Sequence, residues 1–141
     1  MTRTRAPTVM SRTTIDQLLD DARHRLDRLD PLATLDAMRA GAALIDIRCE
    51  SQIAEDGVVP GALVIPRNVV EWRLDPASAH RHPSAPHLGD RVILMCNEGY
   101  QSSLAAATLQ ALGFARATDL DGGFQAWRAA GLPIHSASDP D

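Results

Sequence analysis

Several residue types that mark particular classes of protein are scarce or missing in this chain. It has only two cysteines, Cys49 and Cys96, which are too few for a disulfide framework, so a reducing cytoplasm is the expected setting. Lysine is absent and the 14 arginines form no dense basic stripe, so we expect no nucleic-acid partner. The longest apolar runs are far too short to cross a bilayer, so we expect no membrane partner.

What is present is an ordinary globular composition in a chain of one domain's length. The 141 residues are 45% hydrophobic and 23% charged, with a formal net charge of -4, and they suffice to bury a single core. Residues 1–12 are basic and lack an apolar stretch, so we expect a disordered tail rather than a secretory signal. The predicted organisation is this tail, a domain over residues 13–136 with a helical extension at 14–28, and a C-terminal tail at 137–141.

Hydrophobic periodicity predicts the helices. Apolar residues recur at helical spacing from Thr14 to Arg28, and Thr14 followed by Gln17 fits a capping box at the start of that helix. A second short helix is predicted over Pro31 to Arg39, because proline is tolerated in a first turn and Gly41 follows the end. Further helices are predicted over Asn68 to Leu74, Leu104 to Leu112 and Phe124 to Ala130.

Short apolar runs between turn signals predict the strands. They cover Ala43 to Ile47, Ala62 to Ile65, Val92 to Met95 and, more weakly, Ala115 to Leu120. Runs that are apolar at every residue are typical of strands covered on both faces, as in a parallel sheet. Because these strands alternate with helices, the sequence predicts an open α/β sheet, in which ligands gather at the carboxyl ends of the strands.

Cys96 is the residue best placed for chemistry. It ends the predicted strand Val92 to Met95 and precedes a short loop that opens a helix. The backbone N–H groups of such a loop and the N-terminus of the helix favour a thiolate, which is the nucleophilic form of cysteine. The alternative interpretation is a small buried apolar residue at a strand end. Asp46 falls at the carboxyl end of another strand, and this coincidence favours a functional Cys96.

A set of short segments follows in an order and spacing that indicate a family. The segments are Leu44 to Arg48, Val59 to Ala62, Cys96 to Ser102 and Gly122 to Trp127. Over residues 29–134 the chain resembles the single-domain rhodaneses, which are sulfurtransferases of the rhodanese-like superfamily. The resemblance implies an open parallel sheet of about five strands wrapped by helices on both faces. The helix that starts at Thr14 would be an extra N-terminal element outside the common core.

The resemblance also implies a reaction. Cys96 would take the outer sulfur of a donor, such as thiosulfate, a mercaptopyruvate-like thiol or a protein persulfide, and become a persulfide. Cyanide, a thiol or an acceptor protein would then collect the sulfur. Backbone amides of residues 97–102 would surround the anionic sulfur, and Gly99 suits a tight loop that needs a positive φ. No cofactor or metal is implied, and the oligomeric state is left open.

Cys96 is therefore the predicted catalytic residue. The predicted substrate-binding residues are Asn97, Glu98, Gly99, Tyr100, Gln101, Ser102, Asp46, Arg48 and Arg73. Asp46 is expected mainly to orient local structure, by accepting hydrogen bonds from loop amides or by pairing with Arg48, since a buried charge needs such partners. Tyr100, at the crest of the loop, is expected to shape the pocket entrance or to meet an acceptor protein.

The loop departs from the usual family pattern in its charge. Relatives carry basic residues where this chain has Asn97 and Gln101, and Glu98 adds a negative charge. Because two lost cations would weaken the attraction for dianionic thiosulfate, an uncharged or protein-borne donor is favoured. Arg67 and Arg73 are the candidates to supply positive charge from outside the loop; the alternative is that both face solvent.

The second cysteine and the histidines are weaker candidates. Cys49 lies close in sequence to the first strand, and a resolving disulfide with Cys96 is an alternative rather than the expectation. His80, His82 and His87 lie in a Pro-rich segment, match no zinc spacing and are expected to be solvated. Neither group changes the predicted chemistry.

Two other classes of function compete with a sulfurtransferase. One is a rhodanese-like module that carries or senses persulfide, or docks a partner, without efficient turnover; the unusual loop favours it. The other is a phosphatase or arsenate reductase, which shares the fold and a catalytic cysteine. Those enzymes need an arginine six residues after the cysteine to bind an oxyanion. That position is Ser102, and Glu98 would repel the anion, so the residues exclude this class.

Overall fold

The structure, a computed structural model, describes residues 11–138. In chain order its elements are α1 (Ile15–His24), α2 (Pro31–Arg39), β1 (Ala43–Asp46), α3 (Glu50–Asp56), β2 (Leu63–Val64), a 3-10 turn (Arg67–Val69), α4 (Val70–Leu74), β3 (Val92–Met95), α5 (Gln101–Ala111), β4 (Ala117–Asp119) and α6 (Gly123–Ala129). Most of the two predicted tails, residues 1–10 and 139–141, lies outside the described residues. Among residues 11–138 no helix has the length and apolar character needed to span a bilayer.

The strands form one open parallel sheet in the order β2-β1-β3-β4. In the two central strands Asp46 pairs with Met95, so both strands end at the same edge. The residue after Met95 is Cys96, which therefore lies at the carboxyl edge of the sheet, where α/β proteins bind ligands. The predicted α/β class and parallel sheet are confirmed.

On the far side of β4 the sheet has fewer strands than the resemblance implied: the described residues form four strands in place of about five. Instead of a further strand, the described residues hold a single parallel bridge between Leu29 and Leu120. The ladder stops there for a local reason. Asp30 caps α2 with its side chain, and Pro31 has no N–H to donate to a neighbouring strand.

Apolar layers cover both faces of the sheet. Successive side chains of a strand point to opposite faces, so Leu44 and Ile93 join one buried cluster while Ile45 and Leu94 join the other. These side chains are at most 1% exposed, and burying each one stabilises the fold by about 1.5–3 kcal/mol. The fully apolar runs in the sequence are therefore strands covered on both faces, as predicted.

Helix α1 is shorter than predicted. It begins with the predicted capping box, in which Thr14 and Gln17 exchange hydrogen bonds, but it ends at His24 rather than Arg28. The chain leaves the helical path because Leu29 must reach the sheet, where its N–H donates to a β4 carbonyl. Tertiary pairing therefore ends a helix that the apolar periodicity alone would continue.

The other helices follow the predictions to different degrees. Helix α2 has the predicted bounds, whereas α3 was not predicted at all. Helix α5 begins at Gln101 rather than Leu104, which leaves only residues 97–100 between Cys96 and the helix. The loop that carries the predicted chemistry is thereby short and joined directly to two rigid elements.

Candidate active site

Cys96 is buried at the start of the loop that joins β3 to α5. Its side chain is 2% exposed, and the Gly99 N–H donates to its Sγ at 3.1 Å. Gly99 has φ +88°, and a Cβ there would stand 2.8 Å from the backbone nitrogen of Gly122. The predicted positive φ at Gly99 is confirmed, and the close approach of a second loop gives another reason for glycine at this position.

A cavity of about 440 Å³ opens in front of Cys96. It is lined by Gln52, Cys96, Asn97, Glu98, Tyr100 and Gln101. Four of the predicted substrate-binding residues are thus brought together around the cysteine, and Gln52 of the unpredicted helix α3 joins them. None of the lining residues is basic, and Glu98 is the acidic residue among them.

The first turn of α6 supports the loop through its backbone. Phe124 N–H donates to the Cys96 carbonyl at 2.9 Å, and Gln125 N–H donates to the Asn97 carbonyl at 3.1 Å. The Gln125 side-chain amide also donates to Asn97 Oδ1 at 2.9 Å. Gly123 has φ +61°, and a Cβ on it would stand 2.5 Å from the Cys96 carbonyl oxygen. Glycine is required here because two backbones meet at the cysteine loop.

Gly123→Ala is expected to destabilise the protein by about 3 kcal/mol, because strain at positive φ adds to a clash with a backbone that cannot move aside. Gly131→Ala is the matched control, since Gly131 also has positive φ (+74°) but nothing lies within 4 Å of its added Cβ. The control should lose only about 1 kcal/mol. Urea unfolding of both variants measures the difference, and equal losses would show that the contact with Cys96 is unimportant.

Asp46 and Arg48 form a buried ion pair beneath the loop. Arg48 Nη2 and Nε donate to the Asp46 carboxylate at 2.8 and 3.1 Å, and Nη2 also donates to the Gly57 carbonyl at 2.8 Å. The guanidinium carbon lies 3.9 Å from the ring centroid of Phe124. The predicted pairing is confirmed. Both side chains are fully buried in this network, so we assign them a structural role in place of the substrate contact predicted for them.

Arg67 and Arg73, the candidates to supply positive charge from outside the loop, lie elsewhere. Arg73 Nη1 donates to the His80 carbonyl at 2.8 Å, and Arg67 donates to both carboxylate oxygens of Glu71 at 3.0 and 3.1 Å. Neither arginine lines the cavity in front of Cys96. The substrate-binding role predicted for Arg73 is corrected accordingly: its guanidinium holds the segment that follows α4.

Ser102 faces away from the cavity. Its hydroxyl is buried and donates to Asp119 Oδ2 at 2.7 Å, as does the hydroxyl of Ser103. Arg28 completes the pairing of this carboxylate, with Nε 2.8 Å from Oδ1 and Nη2 3.2 Å from Oδ2. Ser102 therefore anchors the start of α5 instead of contacting substrate through its side chain. No spacing rule connects Arg28 with Asp119, which are 91 residues apart, so the sequence analysis missed this pair.

Cys49 is exposed and immediately precedes α3. Hydrogen bonds from the Ser51 side chain, whose Oγ lies 3.3 Å from Sγ, and from the Gln52 backbone lower the pKa of the Cys49 thiol from its usual value. Both cysteines are free, and the resolving disulfide with Cys96 stays an untested alternative. In the described residues no group of three or more His, Cys, Asp or Glu is arranged to hold a metal ion.

Tyr100 is 64% exposed at the rim of the cavity, and the Arg23 guanidinium lies 5.5 Å from its ring centroid. This placement at the pocket entrance agrees with the role predicted for Tyr100. Arg23 comes from α1, outside the segments that indicated the family. A side chain from the N-terminal helix therefore reaches the edge of the site.

Cys96, whose sulfur accepts the Gly99 N–H, lies at the carboxyl edge of an open parallel sheet, the edge at which α/β proteins bind their ligands. The rhodanese-like domain family matches residues 30–130, and the chain belongs to this family. The matched range agrees with the range of the sequence resemblance. Helix α1 lies outside it.

Curated relatives carry sulfurtransferase names. A sulfurtransferase of Allochromatium vinosum is 34% identical over 91 residues, which cover 64% of this chain and 76% of the relative. The thiosulfate sulfurtransferase GlpE of Stutzerimonas stutzeri is 37% identical over 93 residues, which cover 65% of this chain and 76% of the relative. At the level of the family, the chain is similar to rhodanese-type sulfurtransferases.

Solved structures share the fold. A protein of unknown function from Rhodopseudomonas palustris, described as a possible tyrosine phosphatase, is 30% identical with a TM-score of 0.80, covering 96% of this chain and 99% of that chain. The polysulfide-sulfur transferase homodimer of Wolinella succinogenes is 22% identical with a TM-score of 0.70, and 85% of each chain is covered. The first similarity is nearly complete and so includes α1, while the second shows the fold alone.

Proposed function

We propose that this protein is a rhodanese-type sulfurtransferase in which Cys96 carries sulfane sulfur as a persulfide. The observation that best supports the proposal is the Gly99 N–H aimed at Cys96 Sγ at 3.1 Å, in a loop that opens on a cavity. Backbone donors that point at a sulfur stabilise it as an anion without the help of a side-chain acid or base. The Gly99 N–H would serve the thiolate and the persulfide anion alike.

The reaction proceeds in two half-reactions. The Cys96 thiolate attacks the outer sulfur of the donor, so that a new S–S bond forms on Cys96 while the bond that held this sulfur in the donor breaks. With thiosulfate, the electron pair of the broken bond leaves with sulfite. An acceptor nucleophile, such as cyanide or a thiolate, then attacks the outer sulfur of the persulfide. The electron pair of that S–S bond returns to Cys96, which is again a thiolate.

The charge of the cavity wall affects which sulfur donors can enter. No basic residue lines it and Glu98 does, so a dianion such as thiosulfate is repelled at the entrance. An uncharged donor or a protein-borne persulfide avoids most of this repulsion. We therefore propose slow turnover with thiosulfate and a donor of lower negative charge.

The same absence of lining cations supports a second candidate, a module that carries persulfide to a partner without efficient turnover. Exposed Tyr100 at the cavity rim is suited to contact such a partner. A measured rate separates the two candidates, because a carrier loads Cys96 once and releases the sulfur slowly to small acceptors. A phosphatase is not proposed despite the description of the Rhodopseudomonas palustris protein, since Ser102 stands where the oxyanion-binding arginine is needed and bonds Asp119.

The first test is the intact mass of the reduced protein after incubation with thiosulfate or with mercaptopyruvate. We expect a gain of one sulfur atom that is absent in Cys96→Ser, persists in Cys49→Ser and is removed by cyanide. The two serine variants are matched because the chain has only these cysteines. No adduct from either donor, in a folded protein whose Cys96 reacts with an alkylating reagent, would contradict the small-molecule enzyme and leave the carrier.

A further inference from the structure

Two guanidinium groups converge on one carbonyl of the cysteine loop. Arg23 Nη2 donates to the Gly99 carbonyl at 2.8 Å, and Arg28 Nη2 donates to the same oxygen at 3.0 Å. Both arginines precede residue 30, where the match to the family begins. The contact is therefore an addition of this chain's N-terminal segment to the family's core.

Arg28 is held firmly before any substrate arrives. It is 17% exposed and bonds both oxygens of Asp119, which is fully buried, and its Nη1 lies 3.1 Å from Asp121 Oδ1. Arg23 is linked to the same network, because its Nε donates to the Ser103 hydroxyl at 3.1 Å. The Gly99 carbonyl thus meets two donors whose positions are set by other contacts.

Holding this carbonyl has a consequence for the neighbouring amide. In a trans peptide the C=O of one residue and the N–H of the next point in opposite directions, so fixing the Gly99 oxygen toward the arginines turns the Tyr100 N–H away from them. The arginines also polarise that peptide, which strengthens its N–H as a donor. The preceding amide, that of Gly99, already donates to Cys96 Sγ.

Both arginines contact the loop at the Gly99 carbonyl, and Arg23 also lies against the Tyr100 ring at the cavity rim. Neither lines the cavity in front of Cys96, so they do not compete with Glu98 for the donor. Burial opposes the charge of Arg28, but the hydrogen bond and charge of Asp119, then Asp121 and Cys96, raise the pKa of Arg28 above its ordinary value. Arg28 reaches the cysteine loop through the Gly99 carbonyl, whose own N–H donates to Cys96 Sγ.

We propose that Arg23 and Arg28 are positioning residues for Cys96: by holding the Gly99 carbonyl they fix the loop whose Gly99 N–H donates to the sulfur, and they supply, from the N-terminal segment, positive charge that the loop itself lacks. The charged groups at this loop are then Arg23 and Arg28, opposed by Asp119 and Asp121, which pair with Arg28, and by Glu98 in the cavity wall. Since Asp119 and Asp121 offset Arg28, Arg23 provides the remaining positive charge. The proposal rests on the proposed function only for its effect on the persulfide, because the reduced thiol feels the same groups.

The test measures the thiol itself. In a Cys49→Ser background, where Cys96 is the only thiol, the rate of alkylation by uncharged iodoacetamide is recorded from about pH 5 to 10. We expect Arg23→Gln and Arg28→Gln to move the midpoint of the rate profile to higher pH and to slow alkylation about fivefold near pH 7. Arg25→Gln is the matched control, because it removes the same charge from an exposed side chain immediately after α1. It should change the rate less than about twofold.

A second set of variants keeps the test decisive if Arg28→Gln does not fold, since that change leaves Asp119 buried and unpaired. Arg23→Gln does not touch Asp119, and the double variant Arg28→Gln with Asp119→Asn removes both charges of the buried pair. Arg23→Lys keeps the charge and should recover most of the lost rate. The double variant keeps the net charge near the loop and should shift the profile less than Arg23→Gln does. A profile of Arg23→Gln that coincides with the Arg25→Gln profile would overturn the proposal.

The outcome is separable from that of the proposed function because alkylation needs no sulfur donor. Shifted profiles in a protein that no donor loads would uphold the positioning role and contradict sulfur transfer from small donors. Unshifted profiles in a protein that does form the persulfide would uphold sulfur transfer and overturn the positioning role of the arginines. Where turnover with thiosulfate is measurable, Arg23→Gln should lower kcat about fivefold while KM stays within about twofold, because the arginine does not reach the cavity.

Discussion

Glu98→Arg is expected to raise kcat/KM for thiosulfate about 30-fold at low ionic strength, because it converts repulsion of a dianion into attraction at the cavity wall. The cavity contains no basic residue that already performs this task. A change of two charge units a few ångströms from the donor outweighs the other differences between this loop and the basic loops of the family pattern. The effect concerns the approach of the donor, so KM should account for most of it.

The measurement is thiosulfate-dependent formation of thiocyanate from cyanide, repeated with methanethiosulfonate, which presents the same outer sulfur with one negative charge fewer. The logarithm of the gain should be about half as large for the monoanion and should shrink as salt is added. Glu55→Arg is the matched control, since Glu55 is exposed and does not line the cavity. A gain equal for both donors, or shared by the control, would contradict the electrostatic explanation.

Arg48→Met is expected to lower the free energy of unfolding by about 3–5 kcal/mol, because the fully buried Asp46 carboxylate then loses its partner. The change also removes the donor to the Gly57 carbonyl and the contact with the Phe124 ring. For a domain of this size the loss is a large share of the total stability, which is of the order of 5–15 kcal/mol. This pair therefore matters for the fold even though it does not touch the cavity.

Urea unfolding of Arg48→Met and of two further variants tests this expectation. Arg67→Met removes a partly exposed ion pair with Glu71 and should cost less than about 1 kcal/mol. The double variant Asp46→Asn with Arg48→Met removes both buried charges and should regain at least half of the loss. If the double variant were no more stable than Arg48→Met, the unpaired carboxylate would not be the cause, and packing against Phe124 would carry the effect.

Most of the fold was predictable because its signals are local. The bounds of α2 and the position of β3 agree with the expectation, since a first-turn proline, a following glycine and a fully apolar run each act over a few residues. Helix α3 was not predicted from the sequence. Cys49 at its start lacks the hydroxyl or carboxylate that usually marks the residue before a helix, and the helix is only seven residues long.

In the candidate site, too, the features with local sequence signals were predicted and the others were not. Consecutive residues were enough to predict the position of Cys96, the positive φ of Gly99 and the lack of basic residues in the loop. Gln52, which also lines the cavity, lay in the unpredicted helix. Ser102 was assigned to the substrate because it belongs to the loop in sequence, whereas the turn into α5 directs its hydroxyl to Asp119. Position in a motif did not determine the direction of that side chain.

The sequence by itself determined which strand delivers the cysteine, where the loop bends and which charges the loop lacks, because each of these depends on neighbours along the chain. Only the tertiary structure decided which distant groups complete the site. Arg23 and Arg28 reach the Gly99 carbonyl across 76 and 71 residues, and Arg28 pairs with Asp119 across 91. No periodicity relates residues so far apart. Packing of α1 against α5 and the bridge of Leu29 to Leu120 bring them together.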